Sequence, residues 1–202
     1  MTLKKPLLSL VFFATCLFFC TLLPHYSHAQ PRHVIKINAL DILKKTYGIG
    51  YEFVINEQIS ISMLGAIKSI KTGSLETERY STAENGWQII PQLRYYLKSD
   101  ENAPTGIFLG LGGFYESLQV QANQLDSTTN TITYKSDVYN KGPGLIGGFQ
   151  WIMNKQFSLE LMAMPYYNFA TEKGNINEGN IKRYGIENRL MLKLGFSLGV
   201  AF

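Results

Sequence analysis

The chain has 202 residues, of which 46% are hydrophobic and 17% charged, and its formal net charge is +4 at pH 7. This length suits one folded domain. The small excess of basic over acidic residues implies no strongly charged partner, and we expect no nucleic-acid binding. Phosphate-cradling glycine loops and metal-ligand spacings are absent from the sequence, so no cofactor or metal is expected.

Residues 1–29 are predicted to be a secretory signal peptide that is cleaved. Two lysines precede an apolar run over 6–23, and Ser27-His28-Ala29 forms a small-x-small cleavage site. A retained membrane helix is the alternative, but no charged stop-transfer cluster follows the run. Both cysteines lie in this segment, and neither follows the small residue of a lipobox. The predicted mature domain, residues 30–202, therefore has no cysteine, and its one histidine is His33.

Alternation with a period of two predicts eight strands in the mature domain. No segment after the signal peptide is apolar for long enough to form a spanning helix, and a helical period is nowhere sustained. The predicted strands are 33–39, 47–55, 59–71, 86–98, 106–118, 142–153, 157–169 and 183–202. An even number of short alternating strands predicts an all-β fold, an eight-stranded antiparallel transmembrane β-barrel with up-and-down order.

The predicted links between strands alternate in length. The short links are 56–58, 98–104 and 154–156, whereas the long polar links are 72–85, 119–141 and 170–182; the link at 40–46 is the shortest of the outward loops. With both termini in the periplasm, every short link falls on the periplasmic side. Every long link then faces outward, as in bacterial outer-membrane barrels.

One face of the predicted strands is apolar, and the opposite face carries nearly all strand charges; Lys71 is the exception. A charge facing lipid costs about 2–4 kcal/mol near the bilayer midplane, so this segregation indicates a membrane barrel. Aromatic residues end the apolar face towards the loops and towards the turns, as interfacial girdles do. These are Tyr47, Trp87, Tyr115, Tyr167, and Phe53, Tyr95, Trp151, Phe157, Phe202. A soluble lipocalin-like calyx, which would bury this face instead, is the alternative.

The polar face predicts a network of ion pairs that closes the lumen, because an eight-stranded barrel is just wide enough for its side chains to fill. The predicted members are Lys36, Lys68, Arg94, Arg189, Lys193, Glu52, Glu116, Glu160 and Glu187. Four bulky residues share this face: Tyr96, Phe108, Phe114 and Tyr166. We therefore expect a barrel that does not conduct, with a gated ion path as the alternative. Pro91 and Pro165 remove ladder hydrogen bonds and predict local bulges or distortions.

Alternation continues past the expected membrane edge between the fifth and sixth strands, through 118–122 and again through 131–135. Since a membrane strand needs only about 9–11 residues, this hairpin is predicted to project as paired strands with an exposed edge. Such an edge can bind a partner strand, although a mobile polar loop without a partner is the alternative. The candidate binding residues are Gln121, Asp126, Asn130 and Tyr134.

The last thirteen residues alternate without interruption and end in Phe202. Phe196, Leu198, Val200 and Phe202 share one face of this strand. The pattern resembles the C-terminal targeting signal of outer-membrane barrels. The resemblance implies that these four residues are recognised by the barrel-assembly machinery during biogenesis.

We expect no enzymatic activity. Lipid A deacylases and palmitoyltransferases are built on this scaffold, but a serine-histidine hydrolase needs an imidazole beside its nucleophile near the outer leaflet. His33 is predicted at the opposite, periplasmic end. Two hypotheses follow. The first is a monomeric non-enzymatic barrel, surrounded by outer-membrane lipid, whose loops bind an extracellular ligand or protein or stabilise the envelope. The second is an outer-leaflet lipid-handling barrel, which includes a lipid A-modifying enzyme.

Three segments carry a wider resemblance: Ile35-Lys-Ile-Asn-Ala-Leu, Tyr47-Gly-Ile-Gly-Tyr-Glu-Phe and Gln92-Leu-Arg-Tyr-Tyr-Leu. They are similar to an uncharacterised family of bacterial outer-membrane barrels that resembles the small OmpA/OmpX-type barrels in architecture. The resemblance extends over residues 30–202. It implies a small barrel in the bacterial outer membrane and supplies no catalytic residue.

Overall fold

A computed structural model describes residues 31–43, 45–72, 80–97, 103–125, 131–154, 156–173 and 188–202. Within them, eight strands form a closed antiparallel barrel in which each strand pairs with the next in sequence and β8 pairs with β1. The strands are β1 (His33–Asn38), β2 (Thr46–Val54), β3 (Ile59–Thr72), β4 (Tyr80–Tyr96), β5 (Gly106–Leu125), β6 (Thr131–Met153), β7 (Phe157–Lys173) and β8 (Arg189–Ala201). The predicted eight-stranded antiparallel barrel is confirmed. The predicted signal peptide lies outside the described residues.

A short helix, α1 (Ala39–Leu43), follows β1 where the sequence predicts a loop. The Asn38 side chain begins the helix by accepting hydrogen bonds from the backbone N–H groups of Leu40 and Asp41, at 3.1 and 3.4 Å. Five residues are too few for a helical period to repeat, which is why the pattern gave no sign of it. Among the described residues, no helix is both long and apolar enough to span a membrane.

Tight turns and the described termini meet at one end of the barrel. The Asn56 side chain accepts hydrogen bonds from the backbone N–H groups of Gln58 and Ile59, at 2.9 and 2.8 Å, and so shapes the turn between β2 and β3. Asn154, with φ 52°, adopts the left-handed conformation in the turn between β6 and β7. The carbonyl oxygen of Phe202 accepts N–H groups from Arg32 and His33. The predicted short links 56–58 and 154–156 therefore lie at the end that holds the termini, whereas most of 98–104 lies outside the described residues.

The strands differ greatly in height, because β1 has 6 residues and β6 has 23. The outer parts of β3 to β7 rise beyond the other strands as what we call the strand wall: residues 69–72, 80–86, 117–125, 131–140 and 170–173. The predicted projecting hairpin belongs to this wall and is paired as far as Leu125 and Thr131.

Among the described residues, the projecting hairpin is paired on its β5 side and open on its β6 side. Its β5 side is covered, because Tyr80 of β4 pairs with Gln124. On its β6 side, β7 pairs only as far as Asp137 with Lys173. Residues 131–136 of β6 therefore have no second strand partner among the described residues.

The outward face of the barrel is apolar and its interior is mixed, which confirms the predicted parity. Ile49, Leu109 and Leu145 are more than half exposed on the outside, whereas Ile90 and Phe108 are fully buried inside. We call this exposed apolar surface of the barrel the apolar band. Aromatic pairs lie at its outer end, with ring centroids 5.3 Å apart for Trp87 with Tyr115 and 4.9 Å for Tyr167 with Phe169. We call this row the outer aromatic belt, and it also includes Tyr47.

Two outward-facing prolines interrupt the barrel ladders without shifting them. At Pro91, the β4–β5 pairing stops after Ile89 with Tyr115 and resumes at Gln92 with Gly112. At Pro165, the β6–β7 pairing is likewise missing between Gly144 and Gly147. The register is the same on both sides of each gap. The predicted distortions are therefore present, but as missing ladder pairs and not as bulges.

Candidate functional site

Four charged side chains meet in the middle of the lumen: Lys36 of β1, Glu52 of β2, Arg94 of β4 and Glu160 of β7. All are at most 4% exposed. Lys36 Nζ contacts both carboxylates. Arg94 Nη1 lies 2.6 Å from Glu160 Oε2 and 3.3 Å from Glu52 Oε2. We call these four residues the lumen charge cluster. Its two cations and two carboxylates balance, so its formal charge is zero.

Neutral side chains complete the hydrogen bonding of the lumen charge cluster. Tyr96 Oη donates to Glu52 Oε1 at 2.7 Å, and Ser60 Oγ donates to the same oxygen. Gln92 Oε1 accepts from Arg94 Nε at 2.9 Å, and Gln150 Oε1 accepts from Lys36 Nζ. Buried charges are tolerated when they are paired and hydrogen-bonded in this way. The cluster thus forms a dense polar layer across the lumen.

Apolar and aromatic side chains fill the lumen around this layer. On the side of the cluster that faces the tight turns, the Arg94 guanidinium lies 4.4 Å from the ring centroid of Phe108, which packs against Tyr96. Gly148 allows this, since a Cβ there would lie 2.5 Å from Phe108 Cζ. Further core residues are Leu64, Ile90, Ile146, Met162, Met164, Phe114 and Tyr166. The four bulky residues predicted to face the lumen all lie inside it.

The nine charges predicted as one network do not form one. Lys68 pairs instead with Glu84 of the strand wall at 2.8 Å, and Lys193 pairs with Asp41 of α1 at 3.3 Å. Glu116 accepts a hydrogen bond from Asn140 Nδ2 at 2.9 Å.

Arg189 is exposed and makes no ion pair with any described residue, and Glu187 lies outside the described residues. Face parity predicts which side chains point inward but not their height along the barrel, and ion pairs require equal height. Sequence reasoning missed Asp41 because its segment was predicted to be a loop. Within the described part of the chain, no group of three His, Cys, Asp or Glu side chains is arranged to hold a metal ion.

A cavity of about 580 Å³ opens at the outer mouth of the barrel. Phe114 and Tyr166, whose ring centroids are 4.7 Å apart, line it. Its charged lining residues are Lys45, Lys68, Lys71, Lys193, Asp41 and Glu116. We call this cavity the outer basin. Leu43 of α1 and Leu192 of β8 also line it, so α1 and β8 bound it on the side where the barrel is low.

The predicted assembly residues lie on β8 and directly after it. Leu198 and Phe202 are half exposed. The Phe202 ring stacks on His33 with centroids 5.5 Å apart, and His33 Nδ1 lies 2.7 Å from Tyr51 Oη. This contact joins the two ends of the described chain at the turn end of the barrel. Recognition of Phe196, Leu198, Val200 and Phe202 by the assembly machinery stays a prediction.

The predicted hairpin residues divide between described and undescribed positions. Gln121 of β5 pairs with Lys135 of β6, and the backbone of Tyr134 pairs with Ala122. Asp126 and Asn130 lie outside the described residues. Partner binding by this hairpin stays a prediction.

Residues 13–196 match the family described as "Protein of unknown function (DUF3575)", and the chain belongs to that family. No curated protein matches the sequence. Solved structures that are similar in shape include the following three. CarO of Acinetobacter baumannii has 11% identity and a TM-score of 0.46 over 86% of this chain and 99% of that chain. CarO2 of the same species has 12% identity and a TM-score of 0.46 over 85% of this chain and 97% of that chain. The N-terminal β-barrel domain of Pseudomonas aeruginosa OprF has 10% identity and a TM-score of 0.40 over 85% of this chain and 98% of that chain.

Proposed function

We propose that this member of the DUF3575 family is a non-enzymatic barrel of the bacterial outer membrane, with a closed lumen and a strand wall that binds a partner outside the cell. The observation that carries the membrane assignment is the inversion of its polarity. Large apolar side chains cover the outside of the barrel, whereas charges occupy its centre. Soluble monomers rarely expose apolar patches of more than a few hundred Å². A soluble calyx would have its charges outside and its apolar residues inside.

The compartment is tested by cell fractionation together with gel mobility before and after boiling. We expect the protein in the outer-membrane fraction, with a mobility that shifts on heating and a mature N-terminus at Gln30. Deleting Phe202, or replacing it with Asp, is expected to impair assembly, because the terminal aromatic residue is the predicted assembly signal. A soluble periplasmic protein whose mobility ignores boiling would contradict the membrane assignment.

The closed lumen is supported by two layers that cross it. The lumen charge cluster fills its centre, and Phe114 with Tyr166 form an aromatic layer between the cluster and the outer basin. We expect purified protein in planar bilayers to give no stable unitary currents. Large, stable currents from the wild-type protein would show that the lumen conducts and would contradict this part of the proposal.

Partner binding is assigned to the strand wall because its β6 edge, residues 131–136, has no second strand partner among the described residues. An open edge of this kind can pair with a strand of another chain. The test is photo-cross-linking on living cells from position 135, with position 145 on the apolar band as the control. We expect a specific protein adduct from position 135 and none from position 145. Identical adduct patterns from both positions would contradict binding at this edge.

Lipid handling at the outer leaflet is the second candidate, and the outer basin is the observation that favours it. The basin reaches Leu192, which faces outward on β8, so it lies close to surrounding lipid. Catalysis receives no such support, because His33 is stacked on Phe202 at the opposite end of the barrel. Incubation with outer-membrane lipid extracts, followed by mass analysis of the lipids, tests for modification; an acylated or deacylated product would establish an enzyme.

A further inference from the structure

Lys45 and Lys71 form an exposed pair of cations at the rim of the outer basin. The backbone of Ser69 donates a hydrogen bond to the carbonyl oxygen of Lys45, at 3.3 Å, and Lys71 follows two positions later on β3. Residues 69 and 71 share the outward face of β3, and Lys45 lies beside residue 69 at the rim, so both lysines line the outer basin. Neither lysine makes an ion pair with any carboxylate of the described ranges.

The other two lysines of the basin are already neutralised. Lys68 pairs with Glu84, and Lys193 pairs with Asp41. The remaining carboxylate of the basin, Glu116, accepts a hydrogen bond from Asn140 on the far side. The uncompensated positive charge of the basin thus lies at Lys45 and Lys71.

The height of these two lysines matches the headgroup region of a bilayer. Tyr47 of the outer aromatic belt is two residues from Lys45, and Ile67, which pairs with Trp87 of that belt, is four residues from Lys71. In the described part of the chain, the strand wall does not extend over β1, β2 and β8, so on this side α1 and β8 alone lie between the basin and the surrounding lipid. Leu43, which is 81% exposed, and Leu192 supply apolar lining there.

We propose that the outer basin binds a phosphate-bearing anion through Lys45 and Lys71, and that a lipid headgroup of the outer leaflet is its source. Lysine ammonium groups bind phosphate as point charges, and each contributes to anionic-lipid binding at a membrane surface. The lipid source rests on the membrane assignment proposed above, whereas binding of phosphate itself does not. The two parts can therefore fail separately.

The experiment uses the mature protein folded in uncharged detergent, with a heat-shifted gel band as the check of folding. Native mass spectrometry measures retention of added phosphatidylglycerol, an anionic lipid with a phosphate group, and of oleate, an anion of similar chain length without one. We expect a one-to-one phosphatidylglycerol complex. The double variant Lys45→Gln/Lys71→Gln is expected to weaken it by roughly tenfold or more, since two contacts to phosphate are lost.

The matched control is Lys135→Gln/Lys141→Gln, which removes the same charge from exposed positions on β6. Lys141 lies at the height of the outer aromatic belt, because it pairs with Tyr115. Equal loss in both double variants, or equal retention of oleate and phosphatidylglycerol by the wild-type protein, would overturn the proposal.

Calorimetric titration with inorganic phosphate separates the two possible sources. One outcome is that inorganic phosphate binds and requires Lys45 and Lys71, whereas phosphatidylglycerol does not bind. This result would overturn the lipid source and would support a soluble phosphate compound as the ligand. Competition between inorganic phosphate and phosphatidylglycerol would support one shared site. Absence of both kinds of binding would overturn the site itself.

Discussion

The apolar band and the strand wall are built from the same strands, yet they follow different chemical rules. On the outward face of β5, Ile107, Leu109 and Leu111 lie in the band, whereas Gln119 and Gln121 lie in the wall. β6 changes in the same way, from Leu145 and Phe149 in the band to Lys135 and Asp137 in the wall. Strand geometry is common to both regions, so it cannot be the cause of the difference. The difference agrees with the proposed membrane location, in which lipid surrounds the band and water surrounds the wall.

The interior differs between the two regions as strongly as the exterior. In the band, Lys36, Glu52, Arg94 and Glu160 are nearly inaccessible to water and share their hydrogen bonds. At the wall, the Lys68 and Glu84 side chains are 22% and 32% exposed and form a simple pair. Charges of the same types are therefore expected to contribute very differently to stability.

The largest expected effect comes from breaking the lumen charge cluster. Glu52→Gln leaves Lys36 and Arg94 with one carboxylate between them and is expected to lower the free energy of unfolding by about 3–5 kcal/mol. Glu84→Gln at the wall is expected to lower it by about 1 kcal/mol or less. Urea unfolding in phospholipid vesicles, followed by tryptophan fluorescence, measures both. Equal effects would mean that the lumen is hydrated and the two regions do not differ inside.

The second effect tests the outward face at two heights of one strand. Leu109→Lys places a cation in the apolar band and is expected to lower the free energy of unfolding by about 2–4 kcal/mol. Gln119→Lys adds the same charge on the same face of β5, in the wall, and is expected to change it by about 0.5 kcal/mol or less. The same vesicle assay applies. Similar costs at both positions would refute the assigned height of the membrane.

The smallest expected effect on folding is that of removing the tip of the wall. Deletion of residues 121–135 takes away the projecting hairpin but no residue of the apolar band or of the lumen charge cluster. We expect the heat-shifted gel band to remain. Because the deletion also removes position 135, binding is measured by co-purification of the partner identified by cross-linking from position 135 of the full-length protein, and we expect that binding to be lost. A barrel that no longer assembles would show that the wall is part of the folding unit and not an addition to it.

The number of strands, the face on which each side chain lies and the end of the barrel that holds the tight turns could be predicted from the sequence, because each depends on local patterns. Alternation over 106–118 follows from the pleat of one strand, and Asn56 shapes its turn through its own neighbours. Lys71 broke the predicted parity for a reason that the structure supplies, since it lies above the apolar band on the outward face of the rim. The departure of Lys71 from the predicted parity therefore marks the outer boundary of the apolar band.

The candidate sites were predicted only in part, because they depend on register across the whole barrel. Lys36 reaches Glu160 only because β1 pairs with β8 and β8 pairs with β7. No pattern within one strand reports that arrangement, so Lys68, Glu116 and Lys193 were predicted to join a cluster that lies at another height. The outer basin was missed for a similar reason, since α1 leaves no periodic trace in five residues.

The shortness of β1 has a kinetic consequence. The hairpin of β5 and β6 joins residues that are neighbours in sequence, and its long ladder can form as soon as the turn closes. The seam at β1 has only six residues and joins Val34 to Ala201, so it must search over nearly the whole chain. We therefore expect the sheet to assemble first as a curled, open ribbon, with closure at β1 and β8 as the slow step. The same seam is then the place where a folded barrel opens first.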